Sequence, residues 1–292
     1  MQRILVTGAT GFIGSYVVEE LLHRGQAVIA SSVHEDKARQ FPWYDRVQYI
    51  PFDLGGLDPE KDYYRFFGSP DAMIHLAWEG LPDYKSAFHL DKNYPRHAVF
   101  LENLLRNGLR DLTVTGTCFE YGMQEGCLRE DAVSLPGNAY GQGKDALRRR
   151  LEGWKTVHPF LLRWVRLFYM YGRGQNPKSL FSQLDRAIAA GEETFNMSGG
   201  EQVRDFLPVE KVAEYICAIA LQREITGIIN CCSGRPVTVK QLVEEYLSNK
   251  QSAITLNLGY YPYPDYEPMR FWGDDTQLKT ILKNEQPGTS VH

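Results

Sequence analysis

The sequence predicts an α/β protein built on a doubly wound parallel sheet, and three observations support this fold class. Short apolar runs alternate with segments of helical periodicity over most of the chain. The first apolar run is followed at once by a turn that contains three spaced glycines. The 292 residues, of which 43% are hydrophobic, are enough for one large domain or for a core domain with a smaller lobe.

Residues 4–6 are predicted to form the first strand, since they are an apolar run that stops before Gly8. Helical spacing of apolar residues begins at Phe12 and continues to Leu22, and Gly25 is a plausible C-cap. A strand, a glycine turn and a helix N-terminus in this order place backbone N–H groups where a pyrophosphate can bind. The alternative is a strand–helix turn without a ligand. The turn predicts that a dinucleotide contacts Gly8, Thr10, Gly11, Phe12, Ile13 and Gly14.

Charge and composition exclude several classes of protein. The formal net charge of -4 provides no basic surface for nucleic acid. No stretch approaches the ~18 consecutive apolar residues of a membrane span, and the first strand leaves no room for a signal peptide, so we expect a cytoplasmic protein without membrane contact. The five cysteines form no CxxC pair, which favours free thiols in a reducing compartment and argues against a metal site.

The remaining elements continue the alternation of strands and helices. Such alternation predicts that the strands pair in parallel, with helices on both faces of the sheet. Strands are predicted over 26–31, 47–51, 72–76, 112–115, 160–165 and 228–230, and helices over 84–106, 139–154, 180–190, 209–221 and 237–246.

After Tyr171 the alternation is looser, which predicts a second and smaller unit. The aromatic, proline-rich segment 260–272 is predicted to be an ordered loop that either lines a ligand pocket or packs on its own lobe. We therefore expect a dinucleotide-binding domain over 1–168, to which the chain returns over 203–232, and a substrate-binding lobe over 169–202 and 233–292.

Two residues one turn apart on the predicted helix 139–154 suggest acid–base chemistry. Tyr140 and Lys144 share a face, because positions i and i+4 are neighbours on a helix. An ammonium group near a phenol favours the phenolate and lowers the pKa of the tyrosine, so the pair can transfer a proton near neutral pH. This spacing alone is common on helix surfaces. It gains weight from Thr117 at the end of a predicted strand, because ligands bind at the carboxyl ends of parallel strands.

These features occur in the order found in a known family. The chain resembles the extended short-chain dehydrogenase/reductases, specifically the NAD(P)-dependent epimerase/dehydratase family that acts on nucleotide sugars, over residues 1–275. The resemblance implies a Rossmann-type fold with a smaller C-terminal substrate-binding lobe. It rests on Asn93 and on the segments 8–14, 53–54, 75–77, 117–122, 140–144, 166–172 and 204–206.

The resemblance implies a role for each catalytic residue. Tyr140 would exchange a proton with a sugar oxygen, and Thr117 would hydrogen-bond the same oxygen. Lys144 would hold the nicotinamide ribose and lower the pKa of the tyrosine. Besides the glycine turn, the expected cofactor contacts are Ser31, Ser32, Asp53, Leu54, Leu76, Ala77, Trp78, Asn93, Thr115, Tyr140 and Lys144.

The resemblance also implies a nucleoside-diphosphate sugar as substrate. Arg204 and Arg270 are the candidates for binding the diphosphate, since a guanidinium can pair with it through two hydrogen bonds. The alternative for Arg204 is an ion pair with Asp205 or a solvated position. Cys118 and Phe119, which follow the catalytic threonine, are expected to contact the substrate as well.

The residues after the second predicted strand bear on the choice of cofactor. Enzymes that use NAD place an acidic residue here to bind the ribose 2′-OH, whereas this chain has Ser31 and Ser32. We therefore favour NADP(H), with NAD(H) as the alternative, although Val33 stands where an arginine would be expected. Three basic residues follow shortly after, and they either pair with the 2′-phosphate of NADP(H) or are ordinary surface charges: His34, Lys37 and Arg39.

The residues after Thr117 bear on the reaction. Dehydratases of the family have an Asp-Glu pair next, whereas this chain has Cys118-Phe119 with Glu120 one position later, so dehydration is disfavoured. Reduction of a nucleotide-linked 4-keto-6-deoxyhexose in deoxysugar biosynthesis is favoured by the missing acid after the second strand. The alternatives are a 4-epimerase that holds NAD and a catalytically silent cofactor-binding regulator. Such regulators lack the tyrosine or the lysine of the catalytic pair, and both are present here.

Family members commonly pair the helix after Asn93 and the Tyr140 helix across a homodimer, and we expect a homodimer here. The residues that either supply the dimer interface on these two helices or pack in the core against the sheet are Leu101, Leu104, Leu105, Leu147 and Leu151.

Overall fold

A seven-stranded parallel sheet occupies the centre of this computed structural model, which describes residues 1–285. The strands in chain order are β1 (Arg3–Thr7), β2 (Ala27–Ser31), β3 (Gln48–Tyr49), β4 (Ala72–His75), β5 (Asp111–Thr117), β6 (Gly126–Leu128), β7 (Leu161–Leu167), β8 (Tyr169–Tyr171), β9 (Thr194–Asn196), β10 (Val203–Arg204), β11 (Phe206–Pro208), β12 (Gly227–Cys231), β13 (Val237–Thr238), β14 (Thr255–Asn257) and β15 (Phe271–Gly273). The helices are α1 (Phe12–His23), α2 (Glu35–Ala38), α3 (Tyr63–Phe66), α4 (Tyr94–Asn107), α5 (Ala139–Trp154), α6 (Leu180–Ala190), α7 (Val209–Leu221), α8 (Val239–Asn249) and α9 (Thr276–Glu285).

The central sheet has the strand order β3-β2-β1-β4-β5-β7-β12, and every neighbouring pair is parallel. The chain runs outward from β1 to β3 and then resumes at β4 on the other side of β1. Ligands of such sheets bind outside the carboxyl ends of the strands, at the point where the strand order reverses. The topology confirms the predicted doubly wound, Rossmann-type α/β fold and places the ligand edge between β1 and β4.

Helices cover both faces of the sheet. Helices α1, α7 and α9 pack on one face, and α4 and α5 pack on the other. Both faces are apolar because the strands of an all-parallel sheet are buried on both sides. The leucines named as candidates for a dimer face lie in the core between the sheet and helices α4 and α5. They therefore pack in the core, as the alternative expected, and the homodimer stays a prediction. These fully buried residues are Leu101, Leu104, Leu105, Leu147 and Leu151.

A smaller core lies among α6, α8 and the short strand β9. Its buried residues include Phe181, Leu184 and Val243, and the parallel pair of β9 and β14 borders it. These elements come from 169–202 and 233–285, the regions predicted to form the substrate lobe. The division into domains stays a prediction, and the part of that lobe after residue 285 lies outside the described structure.

The predicted bounds of α5, α6 and α7 match the observed ones, whereas those of α4 do not. The predicted helix 84–106 begins only at Tyr94, after a π-helical turn over His89–Asn93. Pro95 stands in the first turn of α4, where its missing N–H costs no hydrogen bond, and it marks the true start of the helix. None of the helices within residues 1–285 is long and apolar enough to cross a membrane.

Candidate active site

The glycine turn after β1 leaves no room for a larger side chain. Gly8 has a φ of +71°, and a Cβ there would lie 2.8 Å from the backbone nitrogen of Ala77. A Cβ at Gly14 would overlap the carbonyl oxygen of Gly8. Helix α1 therefore packs directly on the turn, and its N-terminus at Phe12 carries no side-chain cap. The first-turn N–H groups and the positive end of the helix thus lie at the ligand edge, an arrangement that binds phosphate groups.

A cavity of 170 Å³ lies beside this turn, at the ends of β1, β2 and β4. The Ser32 hydroxyl lies 2.8 Å from that of Thr10 and 2.9 Å from that of Tyr49, so the turn is tied to the segment after β2. Asp53 does not line this cavity; its exposed carboxylate accepts a hydrogen bond from the Gly55 N–H at 2.7 Å. The predicted cofactor contacts that line the smaller cavity are Gly8, Ser31, Ser32, Leu54, Ala77 and Trp78.

A larger cavity of 640 Å³ continues from the glycine turn toward α6. Gly8 and Trp78 line both cavities, so the two are neighbours along the ligand edge. The far wall is formed by residues of the loop before α6, including Asn176, Lys178 and Ser179. The predicted site residues that line this cavity are Gly8, Gly11, Phe12, Ile13, Gly14, Leu76, Trp78, Thr117, Cys118, Phe119 and Tyr140.

The first two turns of α5 carry the Tyr140 and Lys144 pair. Asn138 caps this helix by accepting a hydrogen bond from a first-turn N–H, which fixes where the helix begins. Lys144 is buried, and its ammonium donates to the carbonyl of Thr115 at 2.8 Å. The same ammonium lies 4.2 Å from the centre of the Trp78 ring, within cation–π range.

Burial dominates the electrostatics of these residues. It raises the pKa of the Tyr140 phenol, and a hydrogen bond with Thr117 acts in the opposite direction. Burial lowers the pKa of Lys144 to about 7, and the negative Glu120 acts in the opposite direction. Lys144 is not among the groups that shift the pKa of Tyr140 in this structure, and its expected effect on the phenol stays a prediction. The ammonium is directed at a backbone carbonyl and an indole face rather than at the phenol.

Two buried histidines form a pair that the sequence analysis missed. His75 Nδ1 is hydrogen-bonded to the Thr7 hydroxyl at 2.7 Å, and His75 Nε2 to His97 Nδ1 at 2.7 Å. His97 stacks on Trp78, with ring centres 4.8 Å apart. Burial lowers the pKa of His75 to about 3 and that of His97 well below its ordinary value, so both rings are neutral at pH 7. A histidine within the apolar stripe of α4 was the sequence signal for this pair.

The predicted cofactor residues that line neither cavity are Thr10, Asp53, Asn93, Thr115 and Lys144. Asn93 is buried and donates to the carbonyl of Glu79 at 2.8 Å, which ties the start of α4 to the loop after β4. The Thr115 hydroxyl donates to the carbonyl of His75 at 3.3 Å, and the Thr115 carbonyl accepts from Lys144. The side chains of Asn93 and Thr115 are already engaged with backbone, so both support the site from behind instead of lining it.

The arginines predicted to bind a diphosphate line neither cavity. Arg204 is buried and pairs with Glu267 at 2.9 Å, and it also donates to two backbone carbonyls. The alternative partner, Asp205, instead accepts from backbone N–H groups of the loop after β12. Arg270 is exposed. The structure therefore does not bring these guanidinium groups to the site, because Glu267 already neutralises the buried one.

Aromatic rings surround the Tyr140 phenol. The ring of Tyr84 lies 5.7 Å from that of Tyr140, 4.9 Å from that of Phe119 and 5.8 Å from that of Tyr266. The segment 260–272 thus reaches the larger cavity through one tyrosine, while two other tyrosines of the segment are exposed. Tyr266 therefore meets the alternative that the segment lines a pocket, whereas the exposed Tyr260 and Tyr261 meet neither alternative.

Cys118 lines the larger cavity as a neutral thiol. Burial raises the pKa of this thiol, and the nearby Glu267 acts in the same direction. Such a thiol does not serve as a base at neutral pH, because the thiolate is the reactive form. All five cysteines are free, and residues 1–285 bring together no group of three His, Cys, Asp or Glu side chains that would hold a metal ion.

Comparison with known families shows to which family the chain belongs. The model of the NAD dependent epimerase/dehydratase family matches residues 4–232. The chain belongs to this family. The protein is therefore an enzyme of the extended short-chain dehydrogenase/reductase type, as the glycine turn and the Tyr140–Lys144 spacing predicted.

This epimerase/dehydratase family member has relatives that match nearly its whole length. It is 31% identical over 272 residues to "dTDP-6-deoxy-L-talose 4-dehydrogenase (NAD(+))" of Aggregatibacter actinomycetemcomitans, covering 93% of this chain and 99% of the relative. It is 27% identical over 304 residues to "GDP-6-deoxy-D-talose 4-dehydrogenase" of the same organism, covering 99% and 94%. Among solved structures, "MoeE5 in complex with UDP-glucuronic acid and NAD" superposes with a TM-score of 0.79 at 26% identity, covering 96% of this chain and 92% of MoeE5.

NAD is named both for the first of these relatives and in the MoeE5 complex. The preference for NADP(H) that the two serines after β2 suggested is therefore not supported.

Proposed function

We propose that this enzyme reduces a nucleotide-linked 4-keto-6-deoxyhexose at C4, a reaction that runs in reverse as a 4-dehydrogenation. The observation that carries this proposal is the larger cavity, in which Tyr140 and Thr117 lie beside the glycine turn. Two relatives named as 4-dehydrogenases of 6-deoxytalose nucleotides support it. Reduction and dehydrogenation are two directions of one redox reaction, so the supply of substrate decides which one dominates.

The aromatic wall of the cavity supports a 6-deoxy sugar as substrate. The rings of Tyr84, Phe119 and Tyr266 lie around Tyr140 and line the larger cavity. Such ring faces suit a methyl group, whereas a hydroxyl buried against them without a partner costs about 1–3 kcal/mol. A sugar with a methyl group at C6 is therefore favoured over one with a hydroxymethyl group.

The residues present fit a dinucleotide. The close packing at Gly8 and Gly14 leaves the N-terminus of α1 open to a pyrophosphate, and the smaller cavity offers apolar walls to an adenosine. When bound, the nicotinamide supplies the hydride chemistry. Lys144 would hold the ribose hydroxyls with the ammonium hydrogens not used by Thr115, and Tyr140 and Thr117 would hold the proton at the sugar O4.

Two features of the site favour proton donation during reduction. Burial raises the pKa of Tyr140, so at neutral pH its phenol carries the proton that a carbonyl oxygen needs. The Thr117 hydroxyl oxygen accepts from the Phe119 N–H at 3.3 Å and its proton is directed at the Tyr140 phenol, beside which a sugar oxygen would accept it. Both groups then stabilise the negative charge that develops on the sugar oxygen.

We expect the enzyme to bind NADH at least tenfold more tightly than NADPH, a difference of about 1.4 kcal/mol or more. Arg39, one of the cations considered for a 2′-phosphate, is paired with Glu35 at 2.8 Å, and a phosphate near this pair would meet the carboxylate. Calorimetric titration with both dinucleotides gives the ratio. Glu35→Gln is expected to lower the ratio of the Kd for NADPH to the Kd for NADH. Asp36→Asn, on the same helix, is expected to leave this ratio unchanged. Tighter binding of NADPH by the wild type would refute NAD(H) as the cofactor.

We expect the affinity for NADH to fall by roughly tenfold per pH unit as the pH rises above about 7. Burial lowers the pKa of Lys144 to about 7, so its ammonium, the form that donates to ribose hydroxyls, is the minority species above that pH. Below that pH the ammonium predominates and the affinity levels off. NADH fluorescence titrations from about pH 6 to about pH 9 measure this dependence.

Two lysine variants control this measurement. Lys144→Met is expected to weaken binding and to remove the pH dependence, whereas Lys155→Met, at the exposed C-cap of the same helix, retains it. A wild-type Kd that is constant over the whole range would argue against a role for the Lys144 ammonium in cofactor binding.

The function is tested by incubating the enzyme with NADH and a panel of dTDP-, GDP- and UDP-linked 4-keto-6-deoxyhexoses. We expect oxidation of NADH with at least one member, and reduction of NAD with the corresponding 6-deoxyhexose nucleotide in the reverse direction. Inversion at C4 of the 6-deoxyhexose nucleotide incubated with NAD, without net formation of NADH, would instead support a nucleotide-sugar 4-epimerase. Absence of both outcomes across the panel would contradict the proposed reaction.

A further inference from the structure

Glu120 is a buried carboxylate to which the proposed function gives no role. It is completely buried and lines neither cavity, so it is not a displaced counterpart of the dehydratase acid. Its oxygens accept hydrogen bonds from the Thr117 N–H, the Trp164 indole N–H and Arg166 Nε, each at 2.9 Å. Burial raises the pKa of this carboxyl, whereas the three donors act in the opposite direction and favour the ionised form, with Arg166 balancing the charge.

Thr117 and Glu120 bind one another across a single 3-10 turn, Cys118–Tyr121. The Thr117 hydroxyl accepts from the Phe119 N–H at 3.3 Å, and the Glu120 carboxylate accepts from the Thr117 N–H. This reciprocal arrangement is a capping box. The bond to Glu120 fixes the backbone of the threonine, and the bond to Phe119 fixes its side chain, because a change of the Thr117 side-chain rotamer would break it.

The carboxylate is itself fixed from behind. Arg166 is completely buried and lies 4.2 Å from the centre of the Tyr121 ring. A Cβ at position 116 would overlap both Trp164 Nε1 and Glu120 Oε1, so Gly116 makes room for the bond between them. Charged hydrogen bonds in a buried setting are costly to break, and this network therefore acts as a rigid support.

We propose that Glu120 is a positioning residue that holds the Thr117 backbone from inside the protein and so directs the Thr117 hydroxyl at the oxygen atom that Tyr140 protonates. The role of the hydroxyl rests on the proposed function. The support comes from a residue that lines neither cavity.

A double-mutant cycle tests the proposal. Glu120→Gln keeps the size of the side chain but places an NH₂ donor opposite the N–H groups that the carboxylate binds, so hydrogen bonds are lost. We expect this variant to lower kcat by about tenfold to a hundredfold with little change in KM. In a Thr117→Val background, which keeps the shape but lacks the hydroxyl, the same substitution is expected to have no further effect on kcat. Independent, additive losses in the two backgrounds would show a general structural role and overturn the proposal.

A milder variant and a matched control keep the test informative if Glu120→Gln folds poorly. Trp164→Phe removes one donor to the carboxylate and leaves the bond to Thr117, so its smaller loss of kcat should also vanish in the Thr117→Val background. Glu102→Gln alters another buried carboxylate, which pairs with Arg150 away from the cavities, and should change Tm without changing kcat. A fall in kcat for Glu102→Gln equal to that for Glu120→Gln would argue against positioning.

A readout that needs no substrate separates this proposal from the proposed function. Cys118 follows Thr117 and lines the larger cavity, so loosening of the turn should speed its reaction with a thiol reagent in Glu120→Gln. The buried Cys217 and Cys231 should react at wild-type rates. A wild type that turns over no nucleotide sugar would contradict the proposed function alone. Unchanged labelling of Cys118 in a folded Glu120→Gln variant would contradict the positioning role alone.

Discussion

Replacing Tyr140 by Phe is expected to lower kcat by roughly a hundredfold to ten-thousandfold, the usual contribution of a positioned proton donor. The phenol lies in the cavity beside Thr117 and the glycine turn, and its raised pKa keeps it protonated at neutral pH. Phe preserves the ring and its packing against Tyr84 and removes only the hydroxyl. Stopped-flow measurement of the single-turnover rate with NADH and the best ketosugar of the panel gives the loss at the chemical step.

Binding measurements distinguish a loss of the chemical step in Tyr140→Phe from a loss of cofactor binding or of folding. The Kd for NADH should stay close to the wild-type value, because Lys144 and the glycine turn are untouched. Tyr64→Phe, which removes a phenol hydroxyl from a residue outside both cavities, should leave kcat unchanged. Turnover by Tyr140→Phe near the wild-type rate would mean that another group moves the proton.

Gly14→Ala is expected to abolish measurable dinucleotide binding and to destabilise the fold by about 1–3 kcal/mol. A Cβ at this position would overlap the carbonyl oxygen of Gly8 and lie 2.9 Å from the Cα of Ala9, so α1 has to move away from the turn. That movement takes the helix N-terminus away from the place of the pyrophosphate. Titration with NADH and thermal unfolding measure the two effects.

Gly153→Ala is the control for this substitution. A Cβ at Gly153 would meet no atom within 4 Å, and alanine in a helix is more favourable than glycine by roughly 0.5–1 kcal/mol. We expect this variant to be slightly more stable than the wild type and to bind NADH normally. Normal NADH affinity in Gly14→Ala would show that the turn does not hold the dinucleotide.

The parts of the fold that the sequence predicted well are those whose structure is set locally. The glycine turn is recognisable because Gly8 has a positive φ and Gly14 allows close packing, and both requirements belong to one short segment. The bounds of α5 follow from the Asn138 cap and from the apolar periodicity behind it. Alternation of strands and helices then leaves few topologies open.

The side-chain contacts that the sequence did not predict join residues far apart in the chain. Arg204 was expected at a diphosphate, but its partner Glu267 lies outside the motif that carried the expectation. The ammonium of Lys144 was expected beside the phenol, but a carbonyl of β5 and the ring of Trp78 hold it. Tertiary contacts of this kind leave no local pattern, so periodicity and spacing could not reveal them.

Trp78 forms part of the wall of both cavities, and its ring contacts the Lys144 ammonium and stacks on the His97 ring. Indole emission overlaps the absorption band of a reduced nicotinamide, so a dinucleotide that spans both cavities lies within range for resonance energy transfer from this side chain. We therefore expect the emission of this indole to be quenched when NADH binds and to recover when the coenzyme is oxidised, which needs no added dye to follow.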